Sequence, residues 1–362
     1  MNIPIPDNLY SRLTKVFWIT MAWVIVSIGQ FLNGYGALLY FNCDMSSHDP
    51  LLIFKGSIFT GIVAGILGGS LVVFTWERWL RAKNYGLALL DILWSFTIVY
   101  LIVGILGEIF YHIKEPGLSL FDLELWQIAG SHIFQIATLQ NYFFWLLVVL
   151  GTFIFLQVND KYGPGVFLSF LRGKYFRPKR EERIFMFLDL RASTTIAETV
   201  GERKYFSFLN DWIKHVTPSI LSYKGEIYQY VGDEIVVSWK MIAGTTNGNC
   251  LKCFLDIQRI FKDQQNYYQD TYGVVPEFKA GLHCGYVMTG EIGVVKRDIA
   301  FSGDVLNTAS RIQSKCNELG VDILLSQLLA DQLAIKGDGF HPKQIGEMIL
   351  RGKEQKLMLV TL

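Results

Sequence analysis

Charge is scarce over the first 157 residues of this chain, which hold 16 Asp, Glu, Lys and Arg against 49 in the remaining 205. Soluble domains carry about a quarter charged residues, so an ordinary globular N-terminal domain is excluded. Five cysteines in 362 residues are too few for a disulfide-built scaffold. Cys250 and Cys253 form a lone C-x-x-C inside an amphipathic segment. Lacking a second Cys or His pair, they suit core packing better than zinc. A net charge of +1 leaves no electrostatic footprint for nucleic acid. Internal repeats and low-complexity tracts are absent too.

Apolar runs occupy the space that charge leaves. Val16–Tyr40 has no charged residue over 25 positions and Gly56–Trp76 none over 21, and about 20 apolar residues suffice for a helix to cross a bilayer. A third run, about 88–112, holds Asp91 and Glu108 near its ends. The fourth is the aromatic-rich Tyr142–Val158, extendable upstream because 125–158 contains no Asp, Glu, Lys or Arg. These runs predict an all-α, four-helix transmembrane domain over residues 1–158. The first is too long for a removable signal peptide and lacks the small-residue cleavage pattern.

Loop charges set the orientation. Arg12 and Lys15 precede the first span, Arg78, Arg81 and Lys83 follow the second, and Lys161, Arg172 and Lys174 follow the fourth. The alternate loops carry Asp44 and Asp49, then Glu115, Asp122 and Glu124. This bias predicts a multi-pass protein of the plasma (inner) membrane with both termini cytoplasmic. The bilayer is thus an expected partner, and the basic cluster between Arg172 and Arg183 would meet anionic head groups. Cys43 alone falls on the outer side. Gly61, Gly65 and Gly69 form a small-xxx-small ladder, suited to a dimer seam or to packing within the bundle. Glu108 and His112 lie one turn apart, as a ligand or proton site or as a solvated pair at the interface. Trp18, Trp76 and Trp79 sit where interface anchors would.

Residues 159–182 read as a linker and coupling element. Gly163, Pro164 and Gly165 break the last span, and Val166–Tyr175 is long enough for one short helix. From Arg183 the pattern changes to alternating strands and helices. Arg183–Leu190 is a buried strand ending at Asp189, and Lys204–Tyr223 an amphipathic helix. Glu226–Val231 and Glu234–Trp239 form a hairpin around Gly232–Asp233. A helix at about 249–268 and strands at Glu277–His283 and Tyr286–Glu291 follow. A helix at Asn307–Cys316 and strands near Ile323 and within Met348–Val360 close the domain. The sum, over 183–362, is an α+β domain with a βαββαβ, ferredoxin-like core and helices on one face of a sheet.

Asp189 and Asp233 stand at neighbouring strand ends, where paired carboxylates can hold hard divalent cations and leave room for phosphate oxygens. The hydroxyl-rich segment 190–195 offers backbone N–H groups at a helix start. Asn307 and Arg311, four apart, share one helix face, and a guanidinium there can answer charge that develops on phosphorus. Each signal is ordinary alone; their combination points to chemistry on a nucleoside triphosphate.

The segments FLDLRAST, GEIYQYVGDE, AGLHCGYVMTGEIG, SGDVLNTASRIQ and the late RGK resemble the catalytic domain of class III nucleotidyl cyclases. That resemblance implies a homodimer with active sites shared between chains and two Mg²⁺ or Mn²⁺ ions per site. It implies Asp189 and Asp233 as metal ligands, assisted by the Leu190 carbonyl, with Asn307 and Arg311 supplied by the other chain. Lys353 would approach the triphosphate. The implied reaction converts ATP, or GTP, to the 3′,5′-cyclic nucleotide and pyrophosphate. At the base-reading positions stand Gln229 and Ala300, where adenylate cyclases of the family carry Lys and Asp; the guanylate pattern is not met either. A Gln amide both donates and accepts, so the base remains open, with ATP favoured. Two other readings are a guanylate cyclase and a silent receptor that keeps the domain for dimerisation. The G-G-[DE]-[DE]-F turn of diguanylate cyclases is not met by Val231–Ile235.

Overall fold

The computed structural model describes residues 9–41, 49–76, 79, 85–114, 122–132, 135–162, 173, 175–295, 298–333, 342–349 and 356–362. Lys353, Cys43, the basic residues Arg78, Arg81, Lys83, Arg172 and Lys174, the Gly163–Gly165 break and most of the expected 166–175 helix lie outside them. The chain divides into two compact units, one ending at Tyr162 and the other running from Gly163 to Leu362.

The first unit is helical: α1 Leu9–Tyr40, α2 Pro50–Leu71 continued by a π turn Val72–Trp76, α3 Tyr85–Lys114, α4 Leu123–His132 and α5 Ile136–Tyr162. Among the described residues, four segments are long and apolar enough to cross a membrane: Arg12–Tyr40, Pro50–Trp76, Leu89–Phe110 and Ile136–Val158. The fourth starts earlier than its aromatic run suggests, and the uncharged stretch upstream forms the separate short helix α4.

Glycine sets how α1 meets α2. A Cβ added at Gly61 would lie 3.0 Å from the Ser27 Cβ, and one at Gly65 would lie 2.6 Å from the Thr20 Cα. The small-residue ladder is therefore spent on packing inside this chain. Hydroxyls fold back onto their own helices, Thr20 Oγ1 donating to the Val16 carbonyl at 2.8 Å and Thr97 Oγ1 to Leu93 at 2.8 Å, which keeps polar groups satisfied away from water. Trp76 corrects an expectation: it is no interface anchor but 1% exposed, with Nε1 donating to Ser95 Oγ at 2.8 Å. Trp18 is exposed and Trp79 packs half-buried on the bundle core. Glu108 and His112 pair at 3.5 Å.

The second unit runs β1 Lys179–Leu190, α6 Ser193–Val200, α7 Glu202–Ser222, β2 Glu226–Val231, β3 Glu234–Lys240, α8 Met241–Thr245, α9 Asn249–Asp263, α10 Gln265–Tyr272, β4 Phe278–Ile292, β5 Asp298–Ser302, α11 Asp304–Leu319, β6 Ile323–Ser326, α12 Gln327–Gln332, β7 Lys343–Ile349 and β8 Lys356–Thr361. One eight-stranded sheet has the order β2-β3-β1-β4-β6-β8-β7, with β5 on β4. Strands β1 to β4 with the intervening helices make the expected βαββαβ core.

Residues alternate across β1. Ile184, Met186, Leu188 and Leu190 join Phe208, Trp212 and Val216 of α7 and Phe254 and Ile257 of α9 in one core. Phe185 and Phe187 turn to the other side, toward Val305 and Ala309 of α11. The core helices thus share one face as expected, and α11 covers the other. Gly281 on β4 permits that approach, since a Cβ there would collide with the backbone of Gln313 and Ala309. Cys250 and Cys253 are fully buried in the first core; burial pushes the Cys250 thiol up to about 12 and the Cys253 thiol upward too. They are inert packing groups.

Candidate active site

Three adjacent strands bring a row of charge together. Asp189, next to last in β1, is the register partner of Glu234 on β3 and of Lys279 on β4. Directly paired residues of antiparallel strands point to one face, here the face that α11 covers. Lys279 Nζ lies 3.3 Å from Asp189 Oδ2, and Gln313 Nε2 on α11 donates to the same oxygen at 2.7 Å. Lys279 and Gln313 are buried at 8% and 4% exposure, so both reach Asp189 from dry surroundings.

Asp233 enters from the β2–β3 turn. Val231 pairs with Glu234, leaving Gly232 and Asp233 as a two-residue loop in which Gly232 takes φ 64°, a conformation glycine adopts without strain. Burial and then the charge of Asp233 push the Asp189 carboxyl above its ordinary range, opposed by Lys279 and Gln313. Glu234 is pushed up to about 7 by burial, Asp189 and Asp233. The Tyr205 hydroxyl is raised by burial and then by Asp233. This is a site with an excess of negative charge.

A hard divalent cation relieves such repulsion, and the donor set of Asp189, Asp233 and the Leu190 carbonyl has the oxygen chemistry it requires. Among the described residues no group of three or more His, Cys, Asp or Glu converges on one point, so further ligands would come from a substrate or water. Past Leu190 the chain turns sharply: Ala192 takes φ 52° and α6 starts at Ser193. Arg191 clamps this turn, donating from Nη1 to Asn317 Oδ1 at 2.8 Å and from Nη2 to the Val321 carbonyl at 2.6 Å.

Asn307 and Arg311 are not brought to Asp189. The buried face of α11 consists of Val305, Thr308, Ala309, Ile312, Gln313 and Cys316, while Asn307 is exposed and Arg311 half-buried. One turn apart, they project from the side turned away from their own sheet. Gln229 is exposed on β2 beside a bulge between Ile227 and Gln229. Ala300, half-buried on β5, pairs with Gly290. Their neighbours Tyr228 and Phe301 touch, with ring centroids 4.8 Å apart, so the two base-reading candidates flank one contact.

Glu234, Lys279, Gln313 and Arg191 were not singled out from the sequence. Lys279 had a signal: it is a lone cation opening an otherwise apolar strand, where burial demands a partner.

Comparison with known proteins follows the same division. The adenylate and guanylate cyclase catalytic domain model matches residues 177–361. The chain is 34% identical over 224 residues to adenylate cyclase 2 of Rhizobium meliloti (strain 1021), covering 61% of each chain. It is 27% identical over 180 residues to an adenylate cyclase of Anabaena cylindrica, covering 48% of this chain and 35% of the relative. It therefore spans less than two thirds of these relatives. A bacterial light-regulated adenylyl cyclase structure superposes with a TM-score of 0.53 at 19% identity, over 63% of this chain and 65% of that one, a likeness of fold. With more than half its residues inside the matched domain, the chain belongs to the adenylate and guanylate cyclase catalytic-domain family.

Proposed function

We propose that this protein is a membrane-anchored adenylate cyclase that converts ATP to 3′,5′-cyclic AMP and pyrophosphate at sites shared between two copies of the chain. The observation that carries this reading is the orientation of α11. Its inner face gives Gln313 to Asp189 of the same chain, and Asn307 and Arg311 lie on its other side, turned away from that Asp189, which supports their serving a second copy.

Asp189, Asp233 and the Leu190 carbonyl would hold two Mg²⁺ or Mn²⁺ ions, which supply charge neutralisation for the triphosphate and acidify the attacking hydroxyl. Lys279 and Gln313 fix Asp189 Oδ2, so the carboxylate is held in one orientation. Arg311 of the second chain places a forked donor against charge spreading over the α-phosphoryl oxygens. Asn307, one turn away, orients the ribose so that its 3′-oxygen faces phosphorus. Lys353 would meet the outer phosphates.

ATP is favoured because the Rhizobium and Anabaena relatives carry the name adenylate cyclase. GTP is the second reading, supported by Gln229 and Ala300: one amide that both donates and accepts, beside a side chain that does neither. The four apolar helices anchor the protein in the plasma (inner) membrane, with the N-terminus and catalytic domain cytoplasmic. Residues 159–182 would couple the domains 1–158 and 183–362.

The 362-residue chain in detergent, given ATP or GTP with Mn²⁺, decides between these readings by product identification. Cyclic AMP in excess is expected. Cyclic GTP-derived product in excess selects the guanylate reading. No turnover of either nucleotide by a folded dimer overturns the enzyme in favour of a silent receptor.

A further inference from the structure

Within the membrane unit, α1, α2, α3 and α5 do not fill the space between them. They line a cavity of about 960 Å³, at the upper end of the roughly 300–1,000 Å³ of small-molecule sites. Trp23, Phe31, Phe96 and Trp145 form much of its wall, and the Trp23 and Trp145 ring centroids lie 5.9 Å apart. Gly34 and Gly104 also line it, and a Cβ added at either meets no atom within 4 Å. The tight seam at Gly61 and Gly65 shows that the bundle closes where its glycines face α1. The void is a local feature, not looseness throughout.

The polar groups in the wall narrow the ligand. Ser27 Oγ donates to the Ser57 carbonyl at 2.6 Å and Thr60 Oγ1 to the Gly56 carbonyl at 3.0 Å, so these hydroxyls have donated inward. Glu108, also in the wall, has His112 as a partner at 3.5 Å. Between α1 and α5, Gln30 Nε2 donates to Asn141 Oδ1 at 2.6 Å. Asn141 also bonds to the Tyr100 hydroxyl, so each of the two amides keeps one further N–H, at the cavity wall among aromatic rings.

We propose that this cavity binds a neutral, membrane-soluble ring compound with carbonyl oxygens, a quinone-type lipid, its ring against Trp23 and Trp145 and its oxygens accepting from the Gln30 and Asn141 amides. Flat rings suit tilted aromatic walls. A carbonyl satisfies an amide N–H that hydrocarbon would leave unpaired.

The test uses the full chain in phosphatidylcholine nanodiscs, titrated with decylubiquinone and read by tryptophan quenching and by thermal unfolding. Saturable quenching with a rise in Tm is expected. Gly104→Leu, which fills the void, should remove the saturable component. Gln30→Leu with Asn141→Leu should raise Kd about tenfold or more, the lower range for two lost hydrogen bonds. Decylbenzene, which lacks oxygens, should not compete. Helix content and cyclase turnover, measured on the same samples, confirm that each variant is folded and keep this outcome separate from the enzymatic reading. Quenching that rises linearly and equally in all variants overturns the site. Saturable binding unaffected by the amide substitutions, or displaced by decylbenzene, overturns the ring-and-oxygen assignment in favour of an acyl chain.

Discussion

Both units let helices approach through glycine, yet they use the proximity differently. In the membrane unit Gly61, Gly65 and Gly68 seat α1 against α2, and the seam hydroxyls donate to backbone carbonyls, Thr20 within its own helix and Ser27 across to α2, so the seam is chemically quiet. In the catalytic unit Gly281 lets α11 settle on β4, and the same settlement delivers Gln313 to Asp189. One close approach provides packing; the other also aims a side chain at the site. Water explains the contrast: near hydrocarbon every polar group must find an internal partner, whereas a strand end at the edge of a soluble domain can collect carboxylates and leave them to a cation.

The largest expected effect tests the division of labour on the catalytic side. Asp189→Ala and Arg311→Ala should each lower turnover about 10³-fold or more, as loss of a major electrostatic contact does. Co-expressed in equal amounts, they should recover about a quarter of wild-type activity, since half the symmetric pairs would be mixed and each mixed pair keeps one of two sites. No recovery in confirmed mixed dimers would place the whole site within one chain.

Next comes the glycine comparison itself. Gly281→Ala should cost about 3 kcal/mol, the upper range for overpacking, because the obstacle is backbone; activity should fall with it. Gly68→Ala should cost about 1 kcal/mol, because its obstacle is a side chain bordering the cavity, the ring of Trp23, rather than backbone. Denaturant midpoints of the two variants rank them, and equal losses would erase the distinction drawn above.

Selectivity should respond more modestly. Gln229→Lys with Ala300→Asp should raise the ATP-over-GTP ratio of kcat/KM about tenfold, the scale of one added polar reader. An unchanged ratio removes both residues from the base pocket.

The smallest effect is a pH slope. Glu234 has an ordinary value of 4.5 and is pushed up to about 7 in the folded protein. The folded state therefore binds its proton more tightly, and the stability it contributes is full below pH 4.5 and lost as pH rises toward 7. Metal-free protein should lose stability across that window, and Glu234→Gln should flatten the slope. Unaltered curvature would mean that the row of carboxylates does not interact as described.

Much of the fold was legible because its signals are local. The hairpin around Gly232–Asp233 follows from alternation and a glycine turn, and β3 ends one residue beyond its expected limit, at Lys240. Strand β1 begins four residues before Arg183 because β4 continues alongside and pairs Lys179 with Thr289; an exposed, charged strand end carries no hydrophobic pattern. The two runs expected around Cys284 and Gly285 are one strand, β4, and the single helix expected at 249–268 breaks at Gln264 into α9 and α10. For the candidate site, motif and turn single out Asp189 and Asp233 in the sequence. They do not single out Lys279, Glu234 and Gln313, because register and the docking of α11, rather than spacing along the chain, make these residues neighbours. Trp76 was misplaced for a similar reason: nearness to a span end says nothing about which way a ring faces.

Helix α11 has one further consequence. It is a single rod with Gln313 on one flank and Arg311 on the other, two residues apart in sequence. In a head-to-tail pair, a shift that lets Asp189 close on its cation would be felt by that rod and passed to the guanidinium serving the opposite pocket. The two catalytic centres would then be mechanically yoked rather than independent, and a sigmoidal dependence of rate on substrate would register the linkage.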